Sequence, residues 1–325
     1  VSKEVGKPAD DKNRYIIELK LLQKLQSYNV PVFIVSWLAN FLTDRTQSVH
    51  TLSGISSRLA INRSIIQGSG IGPMAFISFI GDLRSLCYLT LLIKFADDLT
   101  VVSPAGASVP AEDEYANVCN WADRNKLIVN LSKTKEIVFT RHGPRQIVLP
   151  PLIPGIVREN IVKLLGVTVN NHLSFTDHIH KLLVIIRQRL YLLQLLKRQG
   201  LDRSCLRSVF NALIISSINY ALPAYSGFLT EADINRLQVI CNKAFRWGHT
   251  TIAPDVRSLI YRAESRLFRK IQLNPQHCLS SLMPPQRDLV VRNILRTRGH
   301  PYSLPNCKTK LFKSSFINRV LFEFI

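Results

Sequence analysis

The stretch LTLLIKFADDLTVV, residues 89–102, places two adjacent carboxylates between two apolar runs. The runs Leu89–Ile93 and Leu99–Val102 predict two strands, so that Asp97 and Asp98 fall at their junction. Two carboxylates at the tip of an apolar hairpin are unfavourable unless a cation neutralises them, and Mg²⁺ prefers carboxylate oxygens together with substrate phosphates. Taken alone, the tetrad Phe95–Asp98 is better explained as an ordinary turn, but the residues that follow favour the metal-binding interpretation.

The charge of the chain is unevenly distributed. The chain has 325 residues, 46% of them hydrophobic, which is enough for one large domain or two ordinary ones. Its formal net charge is +20; residues 1–150 hold 17 Lys and Arg against 13 Asp and Glu, whereas residues 151–325 hold 25 against 9. This asymmetry indicates a polyanionic partner, either nucleic acid or an acidic membrane surface.

Three further features concern the setting of the chain. No apolar run reaches the roughly 18–20 residues that a membrane span requires, which argues against a transmembrane protein. The six cysteines are scattered and form no C-x-x-C pair, which indicates reduced thiols in an intracellular protein. The chain begins without Met and stops within an apolar stretch, so we expect it to be a fragment.

The apolar spacing predicts an α+β fold, an antiparallel sheet with packed helices followed by a helical region from about residue 171. Residues Leu19–Leu42 predict two short helices broken at Pro31. The other predicted elements are strands within residues 43–66, a helix at Glu112–Lys126, strands at Glu136–Thr140 and Leu164–Val169, and helices from Ser174, at Arg203–Ser217 and at Glu231–Arg246.

Several motifs occur in the order seen in reverse transcriptases of non-LTR retrotransposons, and the chain resembles that family from Leu21 onward. The motifs are Gln67-Gly68-Ser69 with Gly72-Pro73, Phe95–Asp98, Asn130 with Lys133-Thr134-Lys135, and Leu164–Val167. Downstream, Asn219–Tyr225 and Leu237–Ala244 resemble the helical thumb of the same elements. The resemblance implies a degenerate segment at residues 1–20, a partial polymerase palm without fingers at 21–170, and a basic helical thumb and C-terminal region at 171–325.

The resemblance also implies RNA-directed DNA synthesis, in which two Mg²⁺ or Mn²⁺ ions bridge the attacking 3′-hydroxyl and the triphosphate. Asp97 would be the catalytic residue that binds metal, and Asp98 would lie beside it in a supporting catalytic role. The residues that would contact nucleotide or template are Gln67, Gly68, Ser69, Phe95, Lys133 and Lys135. The residues of the thumb helix that would contact nucleic acid are Lys181, Arg187, Arg189, Lys197 and Arg198. The implied partners are an RNA template, a DNA primer and deoxynucleoside triphosphates, with no membrane, and the implied location is the nucleus.

Several of these assignments have a structural alternative. Lys133 and Lys135 could instead be solvated turn residues, and the cations of the thumb helix could simply keep a helical surface soluble. The segment Leu164–Val167 would be the strand that grips the primer end, or an ordinary core strand.

The sequence departs from the family because it lacks the motif that contains the first catalytic aspartate. The family's first catalytic aspartate lies in an Asp-x-x-Lys-Ala-Phe-Asp context, and residues 1–20 lack this pattern although they contain Asp10 and Asp11. The fingers and the endonuclease of the parent polyprotein are also missing from this sequence. We therefore expect impaired synthesis by this chain. A non-catalytic nucleic-acid-binding protein with a dead palm and an intron-maturase-like reverse transcriptase remain as alternatives.

Overall fold

The computed structural model describes residues 16–60, 69–140, 148–287 and 299–324, which form two compact units. Unit 1 comprises the described residues up to Thr134 together with Pro151–Val157. Unit 2 comprises those of 135–150 and those from Arg158 onward. The predicted boundary near residue 170 lies inside unit 2, because the apolar residues just before it pack on the helical core of that unit. The functional division into palm and thumb stays a prediction.

The described part of unit 1 combines helices with short antiparallel strands. The helices are α1 (Ile16–Ser27), α2 (Val32–Leu42), α3 (Gly72–Phe79) and α4 (Ala111–Arg124). The strands are β1 (Thr46–Gln47), β2 (His50–Thr51), β3 (Gly54–Ile55), β4 (Leu59–Ala60), β5 (Leu91–Phe95) and β6 (Asp98–Val102). The predicted break at Pro31 is confirmed, since this residue precedes α2 and its ring cannot donate a helical hydrogen bond.

One aspartate joins the helices of unit 1 around their apolar core. Asp82 Oδ1 accepts hydrogen bonds from Lys24 Nζ at 2.8 Å and from Trp121 Nε1 at 3.1 Å. The Lys24 ammonium also lies 4.4 Å from the centroid of the Phe79 ring and 4.7 Å from that of Trp121. Because Lys24 lies on α1 and Trp121 on α4, these contacts hold the two helices beside the end of α3.

The predicted palm sheet is not continuous in the described part of the chain. The strands of unit 1 pair two by two, β1 with β4, β2 with β3 and β5 with β6, and all three pairs are antiparallel. Strands β1 to β4 have two residues each, which leaves few backbone groups to bond to a further strand. The α+β class is therefore confirmed, whereas the expectation of one sheet is wrong for these residues.

Residues from Lys135 onward are mainly helical. The strands are β7 (Lys135–Glu136), β8 (Val157–Arg158), β9 (Ile161–Leu164) and β10 (Val167–Asn170), which pair as β7 with β8 and β9 with β10. The helices are α5 (Thr176–Arg198), α6 (Arg203–Phe210), α7 (Ser216–Asn219), α8 (Leu222–Tyr225), α9 (Glu231–Arg246), α10 (Val256–Leu273), α11 (Lys310–Ser314) and α12 (Phe316–Glu323). A π-helical turn, Asn211–Ile215, joins α6 to α7. The predicted strand Glu136–Thr140 is wrong beyond its first residue, because β7 ends at Glu136.

The core of unit 2 lies along α5. Apolar residues at helical spacing form its buried face, namely Ile179, Leu182, Leu183, Ile186, Leu190 and Leu193. Helix α9 packs beside it and begins with a capping box, in which Thr230 Oγ1 accepts the Asp233 N–H at 3.1 Å and the Asp233 carboxylate accepts the Thr230 N–H. The predicted bounds of α9 are confirmed at both ends.

One helical stretch of unit 2 differs from the expectation that no segment is long and apolar enough to span a membrane. By length and composition alone, Arg203–Phe228 is apolar enough to cross a membrane. The stretch is interrupted at Ala221, whose φ is 50°, and its residues Phe210, Ile214 and Ile218 are fully buried in the core of unit 2. A helix in the core of a globular unit can have the same length and composition, so this stretch is weak evidence for a membrane span.

The segment Leu164–Val167 is the turn of a hairpin and not one strand. Strands β9 and β10 pair with Leu164 opposite Val167, so that Leu165 and Gly166 form a two-residue loop. Both loop residues have positive φ, 44° and 86°, as a type I′ turn requires. Val162 and Val167 pack on the core of unit 2, whereas Leu164 and Leu165 are exposed. The prediction of one strand over Leu164–Val167 is therefore wrong, whereas contact of this segment with the primer end stays a prediction.

Replacing Gly166 by alanine is expected to destabilise unit 2 by about 1–3 kcal/mol, because a residue with a Cβ is strained at positive φ. The added Cβ would also lie 3.0 Å from Tyr220 Cε1. Gly200→Ala is the matched control, since Gly200 has a φ of 88° but no atom within 4 Å of the added Cβ. Urea unfolding should show the larger loss for Gly166→Ala. Equal losses would contradict a role for the contact with Tyr220.

Candidate active site

The acidic pair lies at the tip of the β5–β6 hairpin, as the sequence predicts. The strands pair in register up to Phe95 opposite Asp98, so that Ala96 and Asp97 form a two-residue loop. Ala96 has a positive φ of 50°, which helps two residues to reverse the chain. Asp97 is thus the second residue of the loop, and Asp98 is the first residue of β6.

The carboxylates and the neighbouring ring are accessible. Asp97 and Asp98 are exposed, and the side chain of Phe95 is 62% exposed. Within the described part of the chain, neither carboxylate accepts a hydrogen bond or forms an ion pair. Adjacent negative charges repel each other, so a bound cation would stabilise this pair.

The hairpin suits a hard divalent cation by the chemistry of its donors, but it supplies only part of a site. Carboxylate oxygens are preferred ligands of Mg²⁺, and among the described residues no cation pairs with Asp97 or Asp98. The described residues contain no group of three or more His, Cys, Asp or Glu side chains that could hold a metal ion. Further oxygen ligands would therefore have to come from a substrate or from outside the described residues.

A lysine that the sequence analysis did not single out anchors the hairpin. Lys94 lies on the half-buried side of β5, where its Nζ donates to the carbonyl oxygens of Ile80 and Leu83, both at 2.7 Å. Burial and the nearby positive charge of Arg84 lower the pKa of Lys94. The contacts fix β5 against the segment that follows α3. The signal in the sequence was a lysine at an inward position of an apolar strand.

Replacing Lys94 by methionine is expected to destabilise unit 1 by about 2 kcal/mol, because hydrogen bonds that involve a charged group contribute about 1.5–3 kcal/mol. Lys133→Met is the matched control, since Lys133 is an exposed lysine of the same unit. Hydrogen exchange of the β5 and β6 amides would measure the difference. A Lys94 variant as stable as the control would contradict the anchoring role.

The glycine-rich motif is only partly described. Gln67 and Gly68 lie outside the described residues. Ser69 Oγ accepts the N–H of Gly72 at 3.0 Å, and Gly72 is the first residue of α3. This contact gives Ser69 a role at the start of the helix, and contact with nucleotide or template stays a prediction for all three residues.

The two lysines of the next motif have different surroundings. Asn130 organises the turn, since its Oδ1 accepts from Ser132 Oγ at 2.7 Å and from the N–H of Lys133 at 3.3 Å. The Lys133 side chain is exposed, and Lys135 Nζ forms an ion pair with Glu159 at 2.9 Å. The ion pair favours a structural role for Lys135, whereas Lys133 stays a candidate for contact with the triphosphate.

The structure divides the five cations of α5 into two groups. Arg189 donates from Nη1 to the Leu213 carbonyl oxygen, and Lys197 donates from Nζ to the Trp247 carbonyl oxygen, both at 2.5 Å. These two cations hold α5 to its neighbours in unit 2. Lys181, Arg187 and Arg198 form the second group and are exposed, and Lys197 is exposed as well. Contact with nucleic acid stays a prediction for all five cations, and for Arg189 and Lys197 it would compete with the hydrogen bonds to Leu213 and Trp247.

The comparisons with known proteins support the family resemblance. Residues 18–169 match the family model described as reverse transcriptase (RNA-dependent DNA polymerase). In Drosophila melanogaster, the chain is 25% identical over 314 residues to a probable RNA-directed DNA polymerase from transposon X-element, covering 86% of this chain and 34% of the relative. It is also 24% identical to the probable RNA-directed DNA polymerase from transposon BS, and 24% identical to the RNA-directed DNA polymerase from mobile element jockey. These two matches cover 81% and 82% of this chain, and 32% of either relative.

The chain thus spans about a third of the length of the curated relatives it matches. No solved structure matches it significantly.

Proposed function

Residues 18–169 belong to the reverse transcriptase family, and on that premise we propose that the chain is the RNA-directed DNA polymerase segment of a non-LTR retrotransposon. The observation that carries the proposal is the exposed pair Asp97–Asp98 at a hairpin tip inside the matched segment. Asp97 would hold a divalent ion, Mg²⁺ or Mn²⁺, with Asp98 in support. When bound, such an ion supplies positive charge beside the triphosphate.

The neighbouring residues would orient the substrates. Phe95 presents an exposed ring beside the acidic pair, and aromatic rings stack on bases or sugars without regard to sequence. Lys133 would offset charge on the triphosphate, and Ser69 would lie with Gln67 and Gly68 near the nucleotide and template. The partners would be an RNA template, a DNA primer and deoxynucleoside triphosphates, with fingers and endonuclease supplied by other parts of a polyprotein acting in the nucleus.

We further propose that the 325 residues synthesise DNA poorly by themselves. Two-metal transfer needs carboxylates that clamp both the attacking and the leaving oxygen, and this sequence contains no Asp-x-x-Lys-Ala-Phe-Asp pattern. The test is primer extension on an RNA template by the chain itself and by a chain joined to an upstream strand that bears the pattern. We expect extension by the joined chain only. Robust extension by the unaltered chain would show that its own carboxylates suffice, and a joined chain that copies only DNA templates would contradict the assignment.

A second candidate function is binding of nucleic acid without catalysis, which the net positive charge of residues 151–325 favours. Lys181, Arg187 and Arg198 are the candidate contacts on α5. If about six phosphates are contacted, the affinity for a primer–template should fall about 1,000-fold between 50 and 200 mM salt, because binding releases condensed counterions. Fluorescence anisotropy at several salt concentrations measures this loss. Binding that is independent of salt would contradict both candidate functions.

A further inference from the structure

Helix α10 carries cations along one face and apolar residues along the other. The buried face includes Val256, Leu259, Phe268 and Ile271. The exposed cations, which we call the α10 cationic face, are Arg262, Arg266, Arg269 and Lys270. At 3.6 residues per turn these four positions fall within an arc of about 100°. They also line one open depression together with Tyr261, Ser265 and Leu273.

The acidic groups around α10 do not neutralise this face. The helix contains a single acidic residue, Glu264, which is fully buried and forms an ion pair with Arg319. At the start of the helix, Arg257 has an ion pair with Glu231. In the described part of the chain, none of the four cations of the face forms an ion pair.

The arrangement differs from an ordinary solvated helix face, on which charges of both signs are interspersed. Arg266 lies four residues from Arg262 and from Lys270, and three from Arg269. Like charges at these spacings destabilise a helix. A polyanion bound along the face would relieve that repulsion.

We propose that the α10 cationic face binds the phosphate backbone of a nucleic-acid duplex, at a surface distinct from α5. At 1.5 Å per residue, the cations from Arg262 to Lys270 extend about 12 Å along the helix. With one phosphate per about 3.4 Å along each strand, this length corresponds to three or four phosphates. Tyr261 and Leu273, both more than half exposed, border the cations and can contact sugars. The inference rests on the proposed function for its choice of polyanion.

The test compares two double variants that remove the same charge from exposed helix positions in unit 2. Arg266→Gln/Arg269→Gln removes two cations of the face, and Arg203→Gln/Arg207→Gln removes two exposed cations of α6. Binding of the full chain to a labelled RNA–DNA duplex is measured by anisotropy as salt is raised. We expect the slope of log affinity against log salt to fall in magnitude by about 2 for the α10 variant, at about 0.9 for each lost phosphate contact, and to change little for the α6 variant.

Several outcomes would overturn the inference. Equal changes in the two variants would show that only net charge matters, and an unchanged slope in the α10 variant would exclude the face. A loss of binding to phosphatidylserine vesicles without a loss of duplex binding would assign the face to a membrane surface. Arg266→Lys/Arg269→Lys, which keeps both charges, should retain the slope of the unaltered chain, and its failure to do so would also contradict phosphate binding. If the unaltered chain does not bind the duplex at all, the binding claim of the proposed function fails as well.

Discussion

Replacing Arg319 by methionine is expected to destabilise unit 2 by about 3–5 kcal/mol, because it leaves a buried carboxylate without its cation. Glu264 is fully buried, and its Oε1 accepts from Arg319 Nη2 at 2.8 Å and from Arg319 Nε at 3.1 Å. The Arg319 Nη2 also donates to Ser226 Oγ at 3.0 Å and to the Pro223 carbonyl oxygen at 3.1 Å. The Arg319 guanidinium on α12 thus links α12 to α10 and to the segment around α8.

The matched control is Arg257→Ala, which removes an exposed ion pair that Arg257 of α10 forms with Glu231. The side chains of Arg257 and Glu231 are 62% and 70% exposed, and exposed pairs contribute about 0–1 kcal/mol. Hydrogen exchange of the α10 amides would measure both losses in unit 2. Adding Glu264→Gln to Arg319→Met should recover part of the stability. A loss below about 1 kcal/mol for Arg319→Met alone would contradict the network.

Replacing Asp97 by asparagine is expected to abolish synthesis by the joined chain, with a loss of about 1,000-fold or more. The substitution keeps the size of the side chain but removes the negative charge at the hairpin tip. A loss of about 4 kcal/mol of transition-state stabilisation corresponds to a factor of about 1,000 in rate. The expected loss for Asp98→Asn is smaller, because Asp98 is assigned a supporting role.

Asp113→Asn is the control for charge alone, since Asp113 is an exposed carboxylate of α4 in the same unit. Primer extension with each variant, at equal protein concentration and with folding checked by circular dichroism, measures the effect. Equal activity of the Asp97→Asn and Asp113→Asn variants would remove Asp97 from the active site.

The elements that were predicted from the sequence are those set by local patterns. Two apolar runs on either side of Asp97 and Asp98 were enough to predict the hairpin. Helix α9 was predicted because apolar residues recur at helical spacing between Glu231 and Arg246. In both cases residues close in sequence determine the geometry.

The features that were missed depend on contacts between distant residues or on unusual backbone conformations. The turn at Leu165 and Gly166 has a leucine at positive φ, where Asn or Asp is the usual signal. The partners of Arg189 and Lys197 lie 24 and 50 residues away, so their charges could be recognised but their structural use could not. The structural role of Lys94 could have been predicted, because a lysine at an inward position of a strand needs hydrogen-bond acceptors.

The central claim is that Asp97 and Asp98 form the metal-binding tip of a polymerase palm, and iron-directed cleavage tests it most directly. Fe²⁺ bound in place of Mg²⁺ reduces added hydrogen peroxide to hydroxide and a hydroxyl radical, and the radical cuts the backbone next to the ion. In the joined chain with a primer–template, we expect cleavage within a few residues of Asp97 and its loss in the Asp97→Asn variant. Cleavage confined to other segments, or cleavage at the hairpin that Asp97→Asn leaves unchanged, would contradict the assignment.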